Sequence, residues 1–146
     1  MTREAETQVP RGTYVLFLEV AEAAIAVGKL GCFHFRPGVY AYVGSALGSG
    51  GLRGRLERHR RSQKRKHWHV DYLLSQACIM DLYVDCSGRR LECRWAQSLR
   101  QLPGVQSGPA GFGASDCNCP THLFYLGNKT AIDWVSVKAV LTAAAL

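Results

Sequence analysis

The chain has 146 residues, room for one domain and one real core. Its 47% hydrophobic and 20% charged residues are ordinary for a soluble globular protein, and no apolar run approaches the roughly 20 residues of a membrane helix. The net charge of +7 is unevenly spread, with eight of the 18 basic residues between positions 53 and 66, and such clustering suits a polyanion better than general solubility.

Residues 1–8 are polar and lack the apolar core of a signal peptide. A flexible tail is expected over residues 1–11, with a single domain over 12–146 and a cytoplasmic location. Residues 13–20 are rich in β-branched and aromatic side chains and read as a strand. Shorter strands are expected over 24–30 and 32–35. Residues 39–43 form another, entered through the turn dipeptide Pro37-Gly38. Residues 45–51 are a glycine-rich loop without the Lys-Ser/Thr ending of a P-loop. They read as a connection whose N–H groups can lie near a phosphate.

A helix is expected over 52–63, with Leu52, Leu56, His59 and Gln63 on one face. Arg55 lies at the edge of that stripe, four residues before His59 and so beside it. Arg53, Glu57 and Arg61 point outward. The basic run of Arg53, Arg55, Arg58, Arg60, Arg61, Lys64, Arg65 and Lys66 is opposed only by Glu57, and nucleic acid is its first candidate partner. His67, His69 and Asp71 alternate and would share one side of an extended segment, able to bind a metal or phosphate or to touch DNA. Trp68 and Tyr72 can stack on unpaired bases; the alternative places both in the core with the histidines at the surface.

Further helices are expected over 70–77, over 89–102 with a stripe of Leu91, Trp95, Leu99 and Leu102, and over 131–143, capped by Thr130, with a stripe of Ile132, Val135, Ala139 and Ala143. Glu92 should face the protein body at the rim of its helix. Strands are expected over 79–85 and 122–127, and a glycine-rich loop over 106–114. The whole reads as an α/β domain of the α+β kind, a small mixed or antiparallel sheet flanked by helices.

The six cysteines are expected as free thiols. Cys32 and Cys78 stand among apolar neighbours and read as small core residues. Asp116, Cys117, Cys119 and His122 are of metal-ligand type, but their spacing is not that of a standard zinc pair. Cys93 or Cys86 completes a set only if the fold brings it near, so zinc is not the expected cofactor.

Gly12-Thr13-Tyr14 and Tyr42-Val43-Gly44, followed by Leu52-Arg53-Gly54-Arg55-Leu56 and by Glu92, resemble the GIY-YIG nuclease superfamily. The resemblance runs over about residues 12–102. Residues 67–72 and 113–119 look like one less-studied branch of it, and the long interval between the tyrosine motifs has room for an extra hairpin. The resemblance implies a divalent-metal-dependent endonuclease acting on phosphodiesters, in DNA repair or processing. It gives Tyr14 and Tyr42 the motif tyrosines' role as base or water-positioning groups, Arg55 that of the phosphate-stabilising arginine, His59 a proton relay and Glu92 the metal carboxylate. One carboxylate with several waters suits Mg²⁺, or Mn²⁺. Arg53, Arg58, Arg61, Lys64, Arg65, Lys66, His67, Trp68 and His69 would contact nucleic acid, DNA first and RNA second. Asp116, Cys117, Cys119 and His122 would be auxiliary, with Asp116 or Asn118 taking the place of a downstream asparagine. A targeting partner or a dimer would suit so short an enzyme. The alternative is a nucleic-acid-binding module of the same fold with weak or no catalysis.

Overall fold

The computed structural model describes residues 9–146. Strand β1 (Gly12–Val20) is an inner strand of an antiparallel sheet. It pairs along its whole length with β4 (Gly38–Ala46) on one side and with β5 (Ala77–Asp85) on the other. Beyond β4 come β7 (Leu123–Gly127) and the two-residue β6 (Gln106–Ser107), giving the order β5-β1-β4-β7-β6. Strands β2 (Ala23–Val27) and β3 (Gly31–Phe35) form a separate hairpin through one 3₁₀ turn. This hairpin fills the long interval between the two tyrosine motifs.

Both faces of the sheet are covered, which explains why β1 and β4 are apolar almost throughout. On one face Tyr14, Leu16 and Leu18 of β1 join Tyr40 and Tyr42 of β4, the hairpin, and helices α1 (Gly51–Arg60) and α2 (His69–Leu74). On the other, Val15 and Phe17 join Val39, Ala41 and Val43 beneath helices α3 (Glu92–Arg100) and α4 (Trp134–Ala144). The period of two along each strand therefore decides that both tyrosines share the α1 face.

The glycines of the two motifs mark close approaches. A Cβ at Gly12 would sit 1.8 Å from the Asp85 carbonyl oxygen, and one at Gly44 would sit 2.5 Å from the Tyr14 hydroxyl. Tyr14 is the cross-strand partner of Gly44, so its ring lies where a side chain at 44 would have been.

Several expectations are corrected. Residues 1–8 lie outside the described residues. Within the expected tail, Pro10 is tied down, its carbonyl accepting the Leu52 N–H at 2.8 Å. Cys32 and Cys78 are exposed, not core, because alternation turns each away from the face on which half-buried Phe33, Ala77 and Ile79 pack. The cap of α4 is Asp133, which accepts the Ser136 N–H at 3.1 Å, while Thr130 bonds to Asn128. The buried stripe of α4 is Val137 and Leu141, and Val135 is 80% exposed. The alternation over His67, His69 and Asp71 gives way to the start of α2. The stripe of α3 holds: Leu91, Trp95 and Leu99 are buried.

Candidate active site

Strand β7 pairs with β4 only as far as Tyr42, and the Val43 N–H then takes the His122 carbonyl at 3.0 Å. Past that point Val43, Gly44 and Ser45 line a cleft of about 160 Å³ with Tyr42, Arg55, Trp68, Arg90, Glu92, Cys93, Gly113, Asp116, Cys117 and His122. The site thus draws on β4, α1, the entrance to α2, the start of α3 and the segment before β7.

Tyr14 and His59 form its buried backing. The Tyr14 hydroxyl and His59 Nε2 are 2.7 Å apart, and His59 is only 3% exposed. Burial lowers the His59 pKa from its ordinary 6.5 to about 4, with Asp71 acting against the shift and Arg55 and Arg58 adding to it. The imidazole is therefore neutral near pH 7. Its Nδ1 is buried without a partner among the described residues. Burial also pushes the Tyr14 phenol up to about 12, with Arg55 pulling it down. Tyr42 is raised well above 10 by burial and by Tyr14, against Arg55. The two rings are 6.4 Å apart, centre to centre, and of the two only Tyr42 lines the cleft.

Arg55 is held from two sides. Its Nη1 donates to the Ser45 carbonyl at 2.9 Å, and its guanidinium carbon lies 4.1 Å from the centre of the Trp68 ring. Arg58 lies 4.2 Å from the same ring. The indole is therefore occupied by cations and is not a free platform for bases. Arg58 in turn donates from Nη1 and Nη2 to the two Asp71 carboxylate oxygens, at 2.8 and 2.9 Å, and from Nη2 to the Arg65 carbonyl. Arg58, expected to contact nucleic acid, is thus engaged within the fold by Asp71 and the Arg65 carbonyl. Asp71 also accepts the N–H groups of His67 and Trp68, at 2.7 and 2.8 Å. Burial pushes its carboxyl up, but these four donors outweigh burial and leave it below the ordinary carboxylate value. Sequence reasoning gave Asp71 a ligand's role; it is the anchor that fixes Trp68 and, through it, Arg55.

Glu92 opens α3 with its side chain 10% exposed and Oε1 3.2 Å from Arg90 Nη1. Its helix start is set by Thr13, which sequence reasoning passed over. The buried Thr13 hydroxyl donates to the Arg89 carbonyl at 3.2 Å and accepts the Leu91 N–H at 3.0 Å. The central residue of the first motif thus positions the carboxylate, a contact 78 residues apart that no local pattern signals. Arg90 was likewise unmarked in the sequence.

The basic surface continues from the site. Among the described residues, the side chains of Arg60, Arg61, Arg65 and Lys66 make no hydrogen bond or ion pair. Arg53 pairs only with exposed Glu57. Lys64 donates to the His59 and Arg61 carbonyls, satisfying the C-terminal end of α1. His69 is half-buried, and its Nδ1 accepts the Gly113 N–H at 2.9 Å. Of the loop N–H groups expected near a phosphate, that of Gly51 is spent on the Gly48 carbonyl, and the adjoining Leu52 N–H is spent on the Pro10 carbonyl.

Beside the cleft, which Cys93, Cys117 and His122 help to line, Cys93, Cys117, Cys119 and His122 bring one ligand atom each within 4.8 Å of one another. The fold supplies the fourth group that the sequence spacing lacked, from the first turn of α3. Burial and the neighbouring Cys119 and Cys117 push the Cys93 thiol up to about 12. No helix among the described residues is long and apolar enough to cross a membrane. No curated protein and no solved structure matches the chain. Residues 13–144 match a family described as a domain of unknown function, DUF123, and that span includes every group of the cleft, so the chain belongs to the DUF123 family.

Proposed function

We propose that the chain is a GIY-YIG-type endonuclease that hydrolyses nucleic-acid phosphodiesters in this cleft. The observation that carries the reading is convergence: Tyr42, Arg55 and Glu92, backed by Tyr14 and His59, come from four separate elements to one cleft beside an unpaired basic surface. Arg55, fixed by Ser45 and Trp68, would meet the charge that develops on the phosphate. Tyr42 faces the substrate and orients the attacking water. Tyr14 stands behind it, with neutral His59 as the group that takes up a proton passed along the phenol.

Glu92 fits a hard divalent ion such as Mg²⁺ or Mn²⁺. One carboxylate oxygen has no protein hydrogen bond among the described residues, and Asp116 lines the same cleft. Both are oxygen donors, and the cleft has room for the waters such an ion keeps. When bound, the ion would supply Lewis-acid charge at the phosphate. The open cations Arg60, Arg61, Arg65 and Lys66 would hold the backbone of DNA, or of RNA, in a salt-dependent way.

A second reading, a binding module without cleavage, is favoured by one observation: burial holds both motif phenols in the protonated form. The two separate in a cleavage assay with labelled duplex, single-stranded, nicked, flap and branched DNA, and RNA, in Mg²⁺ or Mn²⁺. Expected is cleavage by the wild type, abolished by Glu92→Gln and by Tyr42→Phe with binding retained. Cleavage that survives Glu92→Gln would remove the assigned site. Binding without product on any substrate would establish the module.

A further inference from the structure

Cys93 is distant in the chain from Cys117, Cys119 and His122 but adjacent to them in space. Their three Sγ atoms and one imidazole nitrogen all lie within 4.8 Å of one another. Zn–S bonds of about 2.3 Å and a Zn–N bond of about 2.0 Å place ligand atoms on a tetrahedron with edges of about 3.5–3.8 Å. The Cys117 Sγ to His122 Nε2 separation is 3.4 Å, already at that edge. A groove lined by Cys93, Cys117 and Cys119 adjoins the cluster and gives an ion a route in.

We propose that these four residues bind one structural zinc ion. Three thiolates and one imidazole form a closed tetrahedral set with no open position. The ion takes the place of three thiol protons, which leave as the Zn–S bonds form, and no electron transfer is involved.

The site has a mechanical meaning. Cys117, Cys119 and His122 lie in the segment between β6 and β7, whose Phe112 plugs the core and whose Gly113 is held by His69. Cys93 is the residue after Glu92. The ion would bind this segment to the first turn of α3 and fix the wall of the cleft that carries the carboxylate. The proposal stands without the nuclease reading, since the ion would be present whether or not the chain cleaves anything.

The remaining cysteines, Cys32, Cys78 and Cys86, are exposed and outside the cluster, which provides an internal control. The reduced full chain, stripped of metal, would be titrated with Zn²⁺ and separately with Co²⁺. Thiol alkylation would be mapped residue by residue with mass spectrometry. Expected are one equivalent of Zn²⁺, a Co²⁺ spectrum with sulfur charge-transfer and intense tetrahedral bands, and protection of Cys93, Cys117 and Cys119 that a chelator reverses, while Cys32, Cys78 and Cys86 react throughout. Cys119→Ser and His122→Asn should each weaken Zn²⁺ at least tenfold. No uptake would overturn the proposal, as would an octahedral Co²⁺ spectrum, uptake indifferent to these variants, or protection reversed by reductant and not by chelator, which would indicate a disulfide.

Discussion

Asp71→Ala is the most informative single change outside the cleft. The Asp71 side chain is wholly buried and accepts four hydrogen bonds, two from Arg58 and one each from the His67 and Trp68 N–H groups. Removing it strands a guanidinium that is only 18% exposed and frees two backbone donors. Breaking one side of a buried ion pair costs about 3–5 kcal/mol, and each donor left dry adds about 1–3 kcal/mol where water cannot reach it. The expected loss is about 3–5 kcal/mol, because Arg58 and the N–H groups can turn partly to solvent. That is a large share of the roughly 5–15 kcal/mol by which a domain is stable. Urea denaturation of wild type, Asp71→Ala, Arg58→Ala and the double variant measures it. The cycle should show a coupling of about 1–3 kcal/mol. The carboxylate is held below its ordinary pKa by Arg58 and the two N–H groups against burial. Its contribution is therefore full above the unfolded value near 3.9 and is lost as pH falls through the lower folded value. A cost under about 1 kcal/mol for Asp71→Ala, with additive single variants, would refute the anchoring role.

Gly44→Ala should destabilise by about 1–3 kcal/mol through overpacking, since its Cβ meets the Tyr14 ring at 2.5 Å; cleavage should fall more than stability does, and a fully active variant would show that the Tyr14–His59 contact is dispensable. His59 has its pKa lowered from 6.5 to about 4, so the folded chain is stabilised fully above pH 6.5 and loses about 3 kcal/mol as pH falls towards 4. His59→Gln should flatten that part of the pH–stability profile, as measured by thermal or urea unfolding; an unchanged slope would place the titration elsewhere.

The legible parts of this chain were those in which one local rule acted alone. Strands β1 and β4 showed their β-branched and aromatic runs, and α3 showed Leu91, Trp95 and Leu99 at helical spacing. Helix α4 is alanine-rich and apolar on most sides, so the frame of its buried face could not be read, and Val135 was placed inward. Cys32 and Cys78 misled because an apolar neighbour in a strand points to the opposite face. The rest depended on distance along the chain. Thr13 meets Leu91, Arg58 meets Asp71, and Cys93 meets Cys117 only after the sheet has set their positions, and spacing in the sequence carries no trace of those meetings.

The place of β1 inside the sheet, with a partner on each edge, has a consequence for how the chain reaches its native state. This strand precedes all its partners. It is flanked by β4, with Gly12 opposite Ala46, and by β5, with Thr13 opposite Asp85. Until both arrive, a nine-residue segment with two apolar faces and two open edges has no shelter. Such long-range pairing slows folding, and the waiting strand is prone to pair with another copy of itself. Charges introduced on β1 to block this would, at every position but that of exposed Glu19, land in one core or the other, so protection must come from the neighbours: the earlier β1 pairs with β4, the shorter the exposure. Variants that slow this pairing should therefore lower the yield of folded chain before they change the stability of chains that do fold.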